Sequence, residues 1–313
     1  MAEPQQQQAH NGPVVDTLDG FNVIACSTCG FRHILPIPTT QELIHIYRDD
    51  YYKTEKPLYI EDVSRDLDWW RLTYSDRYEE FARQLPEGRR RLLDIGSGPG
   101  FFLQYGQQHG WQVRGIEPSR QAAAHARSLG LDIVEGLLDH NSAPSLGHYD
   151  VVHMNNVLEH IPDPLTLLDL CYNLLDQDGL ICAVVPNDYN PFQQALRDTC
   201  GFAPWWIAPP HHINYFDFDS LQQALERCGF EVFLRETTFP IDMFLLMGDN
   251  YVNDNTLGRA CHVKRMNFER NLDRSGLNDV KRRLYQAMAQ QGLGREIVLM
   301  GRKPPADENC RCK

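Results

Sequence analysis

The chain has 313 residues, of which 42% are hydrophobic, and its 30 basic and 42 acidic residues give a formal charge of -12. A chain of this kind can bury a sizeable core, and its negative charge repels phosphate backbones, so we expect no nucleic-acid partner. Since no apolar stretch nears the roughly 20 residues that span a bilayer, no signal-peptide pattern opens the chain, and an odd number of cysteines predicts reduced thiols, we expect a cytoplasmic protein without a membrane partner.

The first 86 residues precede the main domain in two parts. Residues 1–20 are rich in glutamine and contain the breaker Asn11-Gly12-Pro13, so we expect a flexible tail. Residues 21–86 are expected to form a cap, which begins with a short strand pair and continues with helices over residues 41–49 and 64–84. In the second helix, apolar residues recur at spacings near those of one helical face.

The main domain is expected over residues 87–304. Apolar runs of strand length alternate there with helical patterns, which predicts an α/β fold with a Rossmann-like, seven-stranded, doubly wound and mostly parallel sheet. The expected strands cover residues 91–95, 112–116, 132–134, 151–154, 180–185, 231–236 and 296–301. A largely helical insertion, residues 242–292, separates the last two strands, and residues 305–313 are expected to form a tail.

The turn after the first strand of this sheet carries the most information. Gly96, Gly98 and Gly100 remove side chains that would keep a ligand from the backbone amides, and glycine permits backbone angles closed to other residues. The next strand ends in Glu117, whose two carboxylate oxygens can accept hydrogen bonds from a ribose diol. Both features lie at the same edge of the sheet and predict a nucleoside site.

The spacing of the glycines separates two nucleoside cofactors. Dinucleotide-binding proteins use GxGxxG, whose last glycine lies within the helix and lets a pyrophosphate reach the helix amino terminus. Here the order is GxGxG, and Phe101 and Phe102 follow where a pyrophosphate would need room. Asp94 can orient the turn and, directly or through water, a cationic amino-acid ligand. The combination favours S-adenosylmethionine, which has a ribose and an ammonium group but no phosphate.

These segments resemble those of class I S-adenosylmethionine-dependent methyltransferases. The resemblance runs from about Arg90 to Lys303 and includes four segments in the family's order, which are residues 94–100, 115–119, 149–164 and 175–180. It implies S-adenosyl-L-methionine as the cofactor and a substrate-covering role for the insertion. The residues that it implies for cofactor binding are Asp94, Gly96, Ser97, Gly98, Gly100, Phe101, Glu117, Pro118 and Asn155.

Histidines supply the candidate base for methyl transfer. A hydroxyl acceptor must lose its proton during attack on the methyl group, and a positioned histidine typically contributes a factor of roughly 10² to 10⁴. The segment with His211 and His212 resembles a proline–histidine–aromatic stretch that many family members place beside the substrate. We expect His212 to be the general base and His211 or His160 to orient the acceptor. For Glu159 and His160, a purely structural role in holding a turn against a loop stays open.

The acceptor is expected to be a small molecule that is methylated on oxygen. The resemblance implies a sugar or sugar derivative first, although quinone-ring O-methylation and C- or N-methylation use the same core. Trp205 and Trp206 either stack on a sugar ring or pack in the core. Two other functions stay open: an NAD-dependent oxidoreductase that uses the same turn and Glu117, and a catalytically silent nucleoside-binding or scaffold protein. The sequence does not set the oligomeric state.

Cys26 and Cys29, followed by glycine, have the spacing of half a zinc knuckle. Many relatives carry two such pairs ahead of the catalytic domain, and the upstream pair is absent from this sequence. The residues that could complete a tetrahedral site are His10, His33, Cys310 and Cys312. The sequence favours a degenerate remnant with two reduced cysteines over a zinc site.

Overall fold

The computed structural model describes residues 10–39, 42 and 58–305. The helix expected over residues 41–49 lies outside these residues, as do Cys310 and Cys312. The described strands form one sheet of four strands and one of seven. Across the described ranges, no helix is both long enough and apolar enough to cross a membrane.

The strands and helices are numbered in chain order. The strands are β1 Val14–Leu18, β2 Phe21–Ala25, β3 Arg32–Leu35, β4 Arg91–Ile95, β5 Gln112–Glu117, β6 Asp132–Glu135, β7 Tyr149–Asn155, β8 Leu175–Pro186, β9 Asn214–Tyr215, β10 Glu231–Thr237 and β11 Glu296–Arg302. The helices are α1 Tyr59–Arg65, α2 Leu67–Gln84, α3 Phe101–Gln108, α4 Arg120–Ser128, α5 Pro164–Leu174, α6 Pro191–Cys200, α7 Phe218–Arg227, α8 Asp242–Leu246, α9 Asn255–Arg274 and α10 Asn278–Gln290.

The seven-stranded sheet has the order β10-β11-β8-β7-β4-β5-β6. The five strands from β8 to β6 run parallel, and β11 is antiparallel to both β8 and β10. Each of the seven strands expected from the sequence lies within one of these strands, so the predicted fold class is confirmed. The apolar runs were informative because a parallel sheet that is covered on both faces buries nearly every residue of its central strands.

Side chains alternate between two apolar layers on the faces of this sheet. In β4, Leu92 packs in the layer that contains α2 and α3, whereas Leu93 packs in the layer that contains α5 and α7. Both leucines are fully buried. This period of two is the one expected of a strand between two layers of helices. The carboxyl ends of the parallel strands therefore lie at one edge, between the two helical layers.

The four-stranded sheet is antiparallel and has the order β1-β2-β3-β9. The tail expected over residues 1–20 is wrong for Val14–Leu18, because these residues pair with β2 and form the first strand of the sheet. The fourth strand comes from the middle of the chain, where Asn214 pairs with His33 and Tyr215 with Arg32. The cap and the main domain thus share a sheet.

The insertion packs on the cap through buried polar contacts. In α9, Glu269 accepts a hydrogen bond from the indole N–H of Trp69 in α2. In α10, Lys281 is 3% exposed and its Nζ lies 2.7 Å from Asp76 Oδ2 of the same cap helix. Residues of α1, the start of α2 and α9 line a cavity of about 450 Å³, at which Arg259 of α9 pairs with Asp66. The substrate-covering role of the insertion stays a prediction.

Candidate active site

The glycine turn between β4 and α3 needs glycine for two reasons. Gly96, Gly98 and Gly100 have φ angles of 66°, 52° and 87°, in the left-handed region that L-residues with a Cβ rarely adopt. A Cβ on Gly96 would also lie 2.7 Å from Cγ2 of Val157, and one on Gly100 would lie 2.6 Å from Cδ1 of Leu131. The turn can keep this course only without side chains at these positions.

Glu117 joins the end of β5 to the glycine turn. Its Oε2 accepts the Gly98 N–H at 2.8 Å, and its Oε1 accepts the Ser119 N–H at 2.8 Å. Burial raises the pKa of Glu117 to about 7, although the two backbone hydrogen bonds act in the opposite direction. A carboxylate has about four lone-pair positions, so two remain for other donors. The arrangement suits a ligand that presents two neighbouring hydroxyl groups.

Ser97 gives an independent indication that this turn holds a polar ligand. Its side chain is 7% exposed, and its Oγ finds no hydrogen-bond partner within residues 10–39 and 58–305. Buried polar atoms of native proteins nearly always have a partner, and a bound ligand can supply one. Phe101 is buried beside the turn and Pro118 is half-buried beside Glu117. The residues present therefore fit a nucleoside.

Asp94 is held by a histidine that the sequence analysis missed. Asp94 Oδ1 accepts the Nδ1–H of His153 at 2.7 Å, and both side chains are buried. Burial lowers the pKa of His153 in spite of the neighbouring carboxylate, so the ring is neutral near pH 7. Phe102 stacks on the imidazole with ring centroids 4.1 Å apart. One carboxylate oxygen of Asp94 thus serves the fold, and its contact with the cofactor stays a prediction.

Arg77 was also missed, because it comes from the cap helix α2. The side chain is 7% exposed, and its Nη1 donates to Asn155 Oδ1 at 3.2 Å. Its distance to His153 Nε2 is 3.4 Å. A buried guanidinium at the ends of β4 and β7 provides a positive charge beside the expected position of the cofactor's amino-acid part. Nothing in the sequence placed Arg77 in the site, since an arginine on an amphipathic helix is usually exposed to solvent.

The predicted histidines come together in one hydrogen-bonded unit. The 3₁₀ turn Leu158–His160, which follows β7, packs against the segment that leads into β9. The bonds that join them, donor first, are His160 Nδ1 to the His211 carbonyl at 2.7 Å, the Ile213 N–H to the Glu159 carbonyl at 2.7 Å, and Asn214 Nδ2 to the Leu158 and Ile161 carbonyls at 2.8 and 2.7 Å. Glu159 and His160 do hold the turn against the histidine segment.

The rings of His160 and His212 meet edge to face, with centroids 5.0 Å apart. Burial and the neighbouring His212 lower the pKa of His160 to about 3, so this ring is neutral at physiological pH. Glu159 Oε1 lies 3.6 Å from His160 Nε2, and burial raises the pKa of Glu159 well above its usual range. Burial thus disfavours the charged form of both side chains.

A carboxylate from the end of β8 faces the other histidine. His212 Nδ1 lies 4.0 Å from Asp188 Oδ2, and the opposite oxygen of Asp188 lies 3.2 Å from Arg295 Nη1. Burial raises the pKa of Asp188, and the Arg295 guanidinium opposes this shift. The sequence did not reveal the contact between Asp188 and Arg295, because these residues are 107 positions apart in the chain.

The loop that follows β7 joins two parts of the site. We call the glycine turn with Glu117, Arg77 and Asn155 the donor side, and His160 with the segment of His211 and His212 the histidine side. Val157 lies against Gly96 on one side of this loop, and the next residue begins the 3₁₀ turn that is joined to the histidine segment. The Asn156 N–H donates to the Val184 carbonyl at 2.9 Å and anchors the loop to β8. The site thus lies at the carboxyl edge of the parallel strands, where open α/β sheets bind ligands.

This sheet, with its glycine turn and strand-end carboxylate, defines an α/β enzyme that binds a nucleoside cofactor. A family model described as a methyltransferase domain matches residues 65–234, more than half of the chain. The chain belongs to this methyltransferase family, and S-adenosylmethionine is its cofactor. The predicted class of enzyme is confirmed.

Curated relatives match a shorter part of the chain. The ubiquinone biosynthesis O-methyltransferase of Yersinia enterocolitica is 33% identical over 96 residues, which cover 29% of this chain and 40% of the relative. The protein of the same name from Haemophilus ducreyi is 36% identical over 102 residues, which cover 29% of this chain and 43% of the relative. The match therefore spans about two fifths of the length of these relatives.

Solved structures match more of the chain at lower identity. A Haloferax volcanii methyltransferase, solved in complex with the Trm112 methyltransferase activator, is 15% identical, with a TM-score of 0.51, and the match covers 83% of this chain and 99% of that one. A methyltransferase from Archaeoglobus fulgidus is 22% identical, with a TM-score of 0.49 and coverage of 76% and 94%. At these identities the likeness concerns the fold alone.

Proposed function

We propose that the chain transfers a methyl group to a hydroxyl oxygen of a small-molecule acceptor, with His212 as the general base. The observation that carries the proposal is the position of the histidine unit: His160 and His212 are held at the same sheet edge as the glycine turn. A hydroxyl acceptor loses a proton during methyl transfer and therefore needs a base at that edge. A carboxylate acceptor is already ionised and needs none.

On the donor side, the proposal assigns the cofactor to the glycine turn. S-adenosylmethionine supplies, when bound, a methyl group on a positively charged sulfur. The ionised carboxylate of Glu117 accepts hydrogen bonds from the ribose hydroxyls, and the backbone amides near Gly98 line the same site. Arg77 and Asn155 face the amino-acid part, where the guanidinium attracts the α-carboxylate. The contacts of Asp94, Ser97, Gly100, Phe101 and Pro118 remain part of this proposal.

On the acceptor side, His212 takes the hydroxyl proton on its ring while the acceptor oxygen forms the new bond to the methyl carbon. Asp188, 4.0 Å from His212 Nδ1, stabilises the positive charge that this ring gains. His160 stays neutral and keeps its Nδ1–H on the His211 carbonyl, so it positions the segment that carries the base. His211 contributes its backbone oxygen to this contact, and its side chain is assigned to acceptor orientation.

Two kinds of hydroxyl fit the proposal. The names of the curated relatives, ubiquinone biosynthesis O-methyltransferases, support oxygen as the methylated atom, and a quinone-ring hydroxyl is the first kind. The sugar-derived acceptor stays a prediction, and one of its supports is weaker than expected. Trp206 is 5% exposed and packs with Ile207 and Tyr215 in a third apolar cluster, so its face is not open to a sugar ring. Trp205 is half-buried at the border of that cluster.

The experiment that tests the proposal uses methyl-labelled S-adenosylmethionine and the full chain. Dihydroxy-aromatic acids and free sugars form the two acceptor arms, and mass spectrometry with NMR locates the label. We expect an O-methyl product in one arm. Label on nitrogen or carbon contradicts the assigned acceptor atom. Tight binding of S-adenosylhomocysteine without transfer to any compound of a metabolite extract would instead favour the silent nucleoside-binding protein.

Calorimetry separates the oxidoreductase alternative from the proposal. We expect heat of binding from S-adenosylhomocysteine and none from NAD, because Phe101 occupies the position of the last glycine of GxGxxG, which a pyrophosphate requires. The variant Glu117→Gln is a useful control, since both nucleosides would use this carboxylate for their ribose. NAD binding that depends on Glu117, in the absence of S-adenosylhomocysteine binding, would contradict the assignment of the cofactor site to a methyl donor.

A further inference from the structure

Four metal-binding side chains converge at one end of the four-stranded sheet. They are His10, Cys26, Cys29 and His33, and their donor atoms all lie within 4.8 Å of one another. The two cysteines lie in the turn between β2 and β3, one histidine is on β3, and the other precedes β1. We call this group the Cys–His cluster. It lies outside the proposed methyl-transfer machinery.

Two separations within the cluster are close to those of a tetrahedral ion site. The Nδ1 atom of His10 lies 3.3 Å from Cys29 Sγ and 3.8 Å from Cys26 Sγ. With zinc–sulfur bonds of about 2.3 Å and zinc–nitrogen bonds of about 2.0–2.1 Å, tetrahedral geometry puts sulfur and nitrogen ligands about 3.6 Å apart. The observed distances bracket this value.

His33 provides an independent indication of a ligand. The side chain is 1% exposed, and its Nδ1 donates to the Ile34 carbonyl at 3.0 Å. Its Nε2 is buried and, over the described part of the chain, has no hydrogen-bond partner. Because Nδ1 carries the proton, Nε2 has a free lone pair. This is the usual state of a metal-binding histidine, whose second nitrogen is fixed by a backbone carbonyl or a carboxylate.

The backbone before β1 is shaped to deliver His10. Residues 11–13 run beside the end of β2, where the Ala25 N–H donates to the Pro13 carbonyl at 3.0 Å and the Ser27 N–H to the Asn11 carbonyl at 2.9 Å. The approach is so close that a Cβ on Gly12 would lie 1.9 Å from the Ala25 carbonyl oxygen. Glycine at this position therefore lets the chain bring His10 onto the cysteine pair.

We propose that the Cys–His cluster binds one structural zinc ion through Cys26, Cys29, His10 and His33. Two thiolates balance the double positive charge, and two neutral imidazoles complete the coordination. A tetrahedral set of two sulfur and two nitrogen ligands suits zinc, and four protein ligands leave no open position for catalysis. The sequence favoured a degenerate remnant with two reduced cysteines. The zinc proposal replaces that expectation, because the fold brings His10 and His33 to the cysteine pair and so supplies the two missing ligands.

The zinc site also bears on the sheet that carries the histidine segment. His33 pairs directly with Asn214 in the β3–β9 register, and the Ile34 N–H donates to the Ile213 carbonyl at 2.9 Å. The ion would thus fix the β2–β3 hairpin, against which residues 211–215 pack. An effect of zinc removal on turnover rests on the proposed function, whereas zinc binding itself does not.

The test measures metal content in the full chain. We expect about one zinc per chain after expression with added zinc and a wash with a weak chelator. We expect at least a tenfold loss in Cys26→Ser and in His33→Ala, and none in Cys200→Ser, which changes an exposed cysteine in α6. Cobalt in place of zinc should give the visible absorption bands of a tetrahedral ion with thiolate ligands.

Several outcomes would overturn the proposal. Wild-type protein without stoichiometric zinc, no cobalt spectrum after reduction, or full zinc content in Cys26→Ser would each do so. If Cys26→Ser and His33→Ala fail to fold, the variant His10→Ala decides the matter, because His10 is exposed and precedes the first strand. Its loss should weaken cobalt binding at least tenfold. Zinc-free protein that still binds S-adenosylhomocysteine would leave the proposed function standing.

Discussion

The donor side and the histidine side of the candidate site are built in different ways. The donor side is centred on one stretch, residues 94–100, and on Glu117 at the end of the next strand, with Arg77 and Asn155 beside them. The histidine side joins the 3₁₀ turn after β7, Asp188 after β8, the segment before β9 and Arg295 before β11. The glycine turn at the centre of the donor side depends on backbone angles open to glycine, whereas the histidine side depends on hydrogen bonds between segments distant in the chain. Variants should therefore affect the two sides separately.

The largest effect is expected from His212→Ala. Loss of the base should lower kcat by a factor of roughly 10² to 10⁴ and leave the affinity for S-adenosylhomocysteine unchanged, because the glycine turn is intact. Steady-state kinetics with the acceptor that the labelling experiment identifies give kcat, and calorimetry gives the affinity. The control is His148→Ala, an exposed histidine before β7. A kcat that stays within twofold of wild type would remove His212 from the role of base.

Gly96→Ala should damage the donor side by up to about 10²-fold in donor affinity, since the new Cβ must displace Val157 and shift the turn by a fraction of an ångström or more. Gly130→Ala is the matched control. Its φ of 80° imposes a similar backbone strain, but nothing lies within 4 Å of the new Cβ. Equal losses of donor affinity in both variants, measured by calorimetry, would mean that general strain and not the turn is responsible.

Asn214→Ala should weaken the histidine side alone. The change leaves the buried carbonyls of Leu158 and Ile161 without their donor, which lowers the free energy of unfolding by about 1–3 kcal/mol. Urea unfolding measures this loss, and donor affinity should stay at the wild-type value. Asn22→Ala, on an exposed position of β2 in the same sheet, should change stability by less than about 0.5 kcal/mol. A donor affinity that falls together with stability would contradict the independence of the two sides.

The smallest expected effect is a pH dependence on the donor side. Glu117 accepts ribose hydroxyls in its ionised form, and its pKa of about 7 means that lowering the pH protonates it. At pH 6 about one molecule in eleven is ionised, so the affinity for S-adenosylhomocysteine should be about tenfold weaker than at pH 8. Calorimetry across this range measures the slope. Glu117→Gln should bind more weakly at pH 8 and show a flat profile; a slope that persists in this variant would assign the effect to another group.

Most of the main sheet was predictable because each strand carries its own signal. The apolar run in the second half of β8 is typical of a strand buried on both faces, and the glycine spacing indicated the turn between β4 and α3. β1 and β9 gave no such signal. Val14–Leu18 is short and partly exposed, and the two residues of β9 become a strand only because β3 lies beside them.

The candidate site was predictable where its chemistry is local. The positions of Gly96 and Glu117 follow from backbone angles and strand ends, but the partners of the histidines depend on tertiary packing. His153 lies in a buried strand and reads as part of an apolar run, whereas the structure pairs it with Asp94. Arg77 sits on a helix of the cap, and no local pattern connects that helix to the end of β7.

The β3–β9 pairing has a consequence for synthesis on the ribosome. His33 must wait for Asn214, which follows 181 residues later in the chain, before the last ladder of its sheet can close. At translation rates of about 5–20 residues per second, this delay is roughly 10 to 40 s. During that interval one edge of β3 in the nascent chain has no strand beside it, and such an edge is open to pairing with another chain.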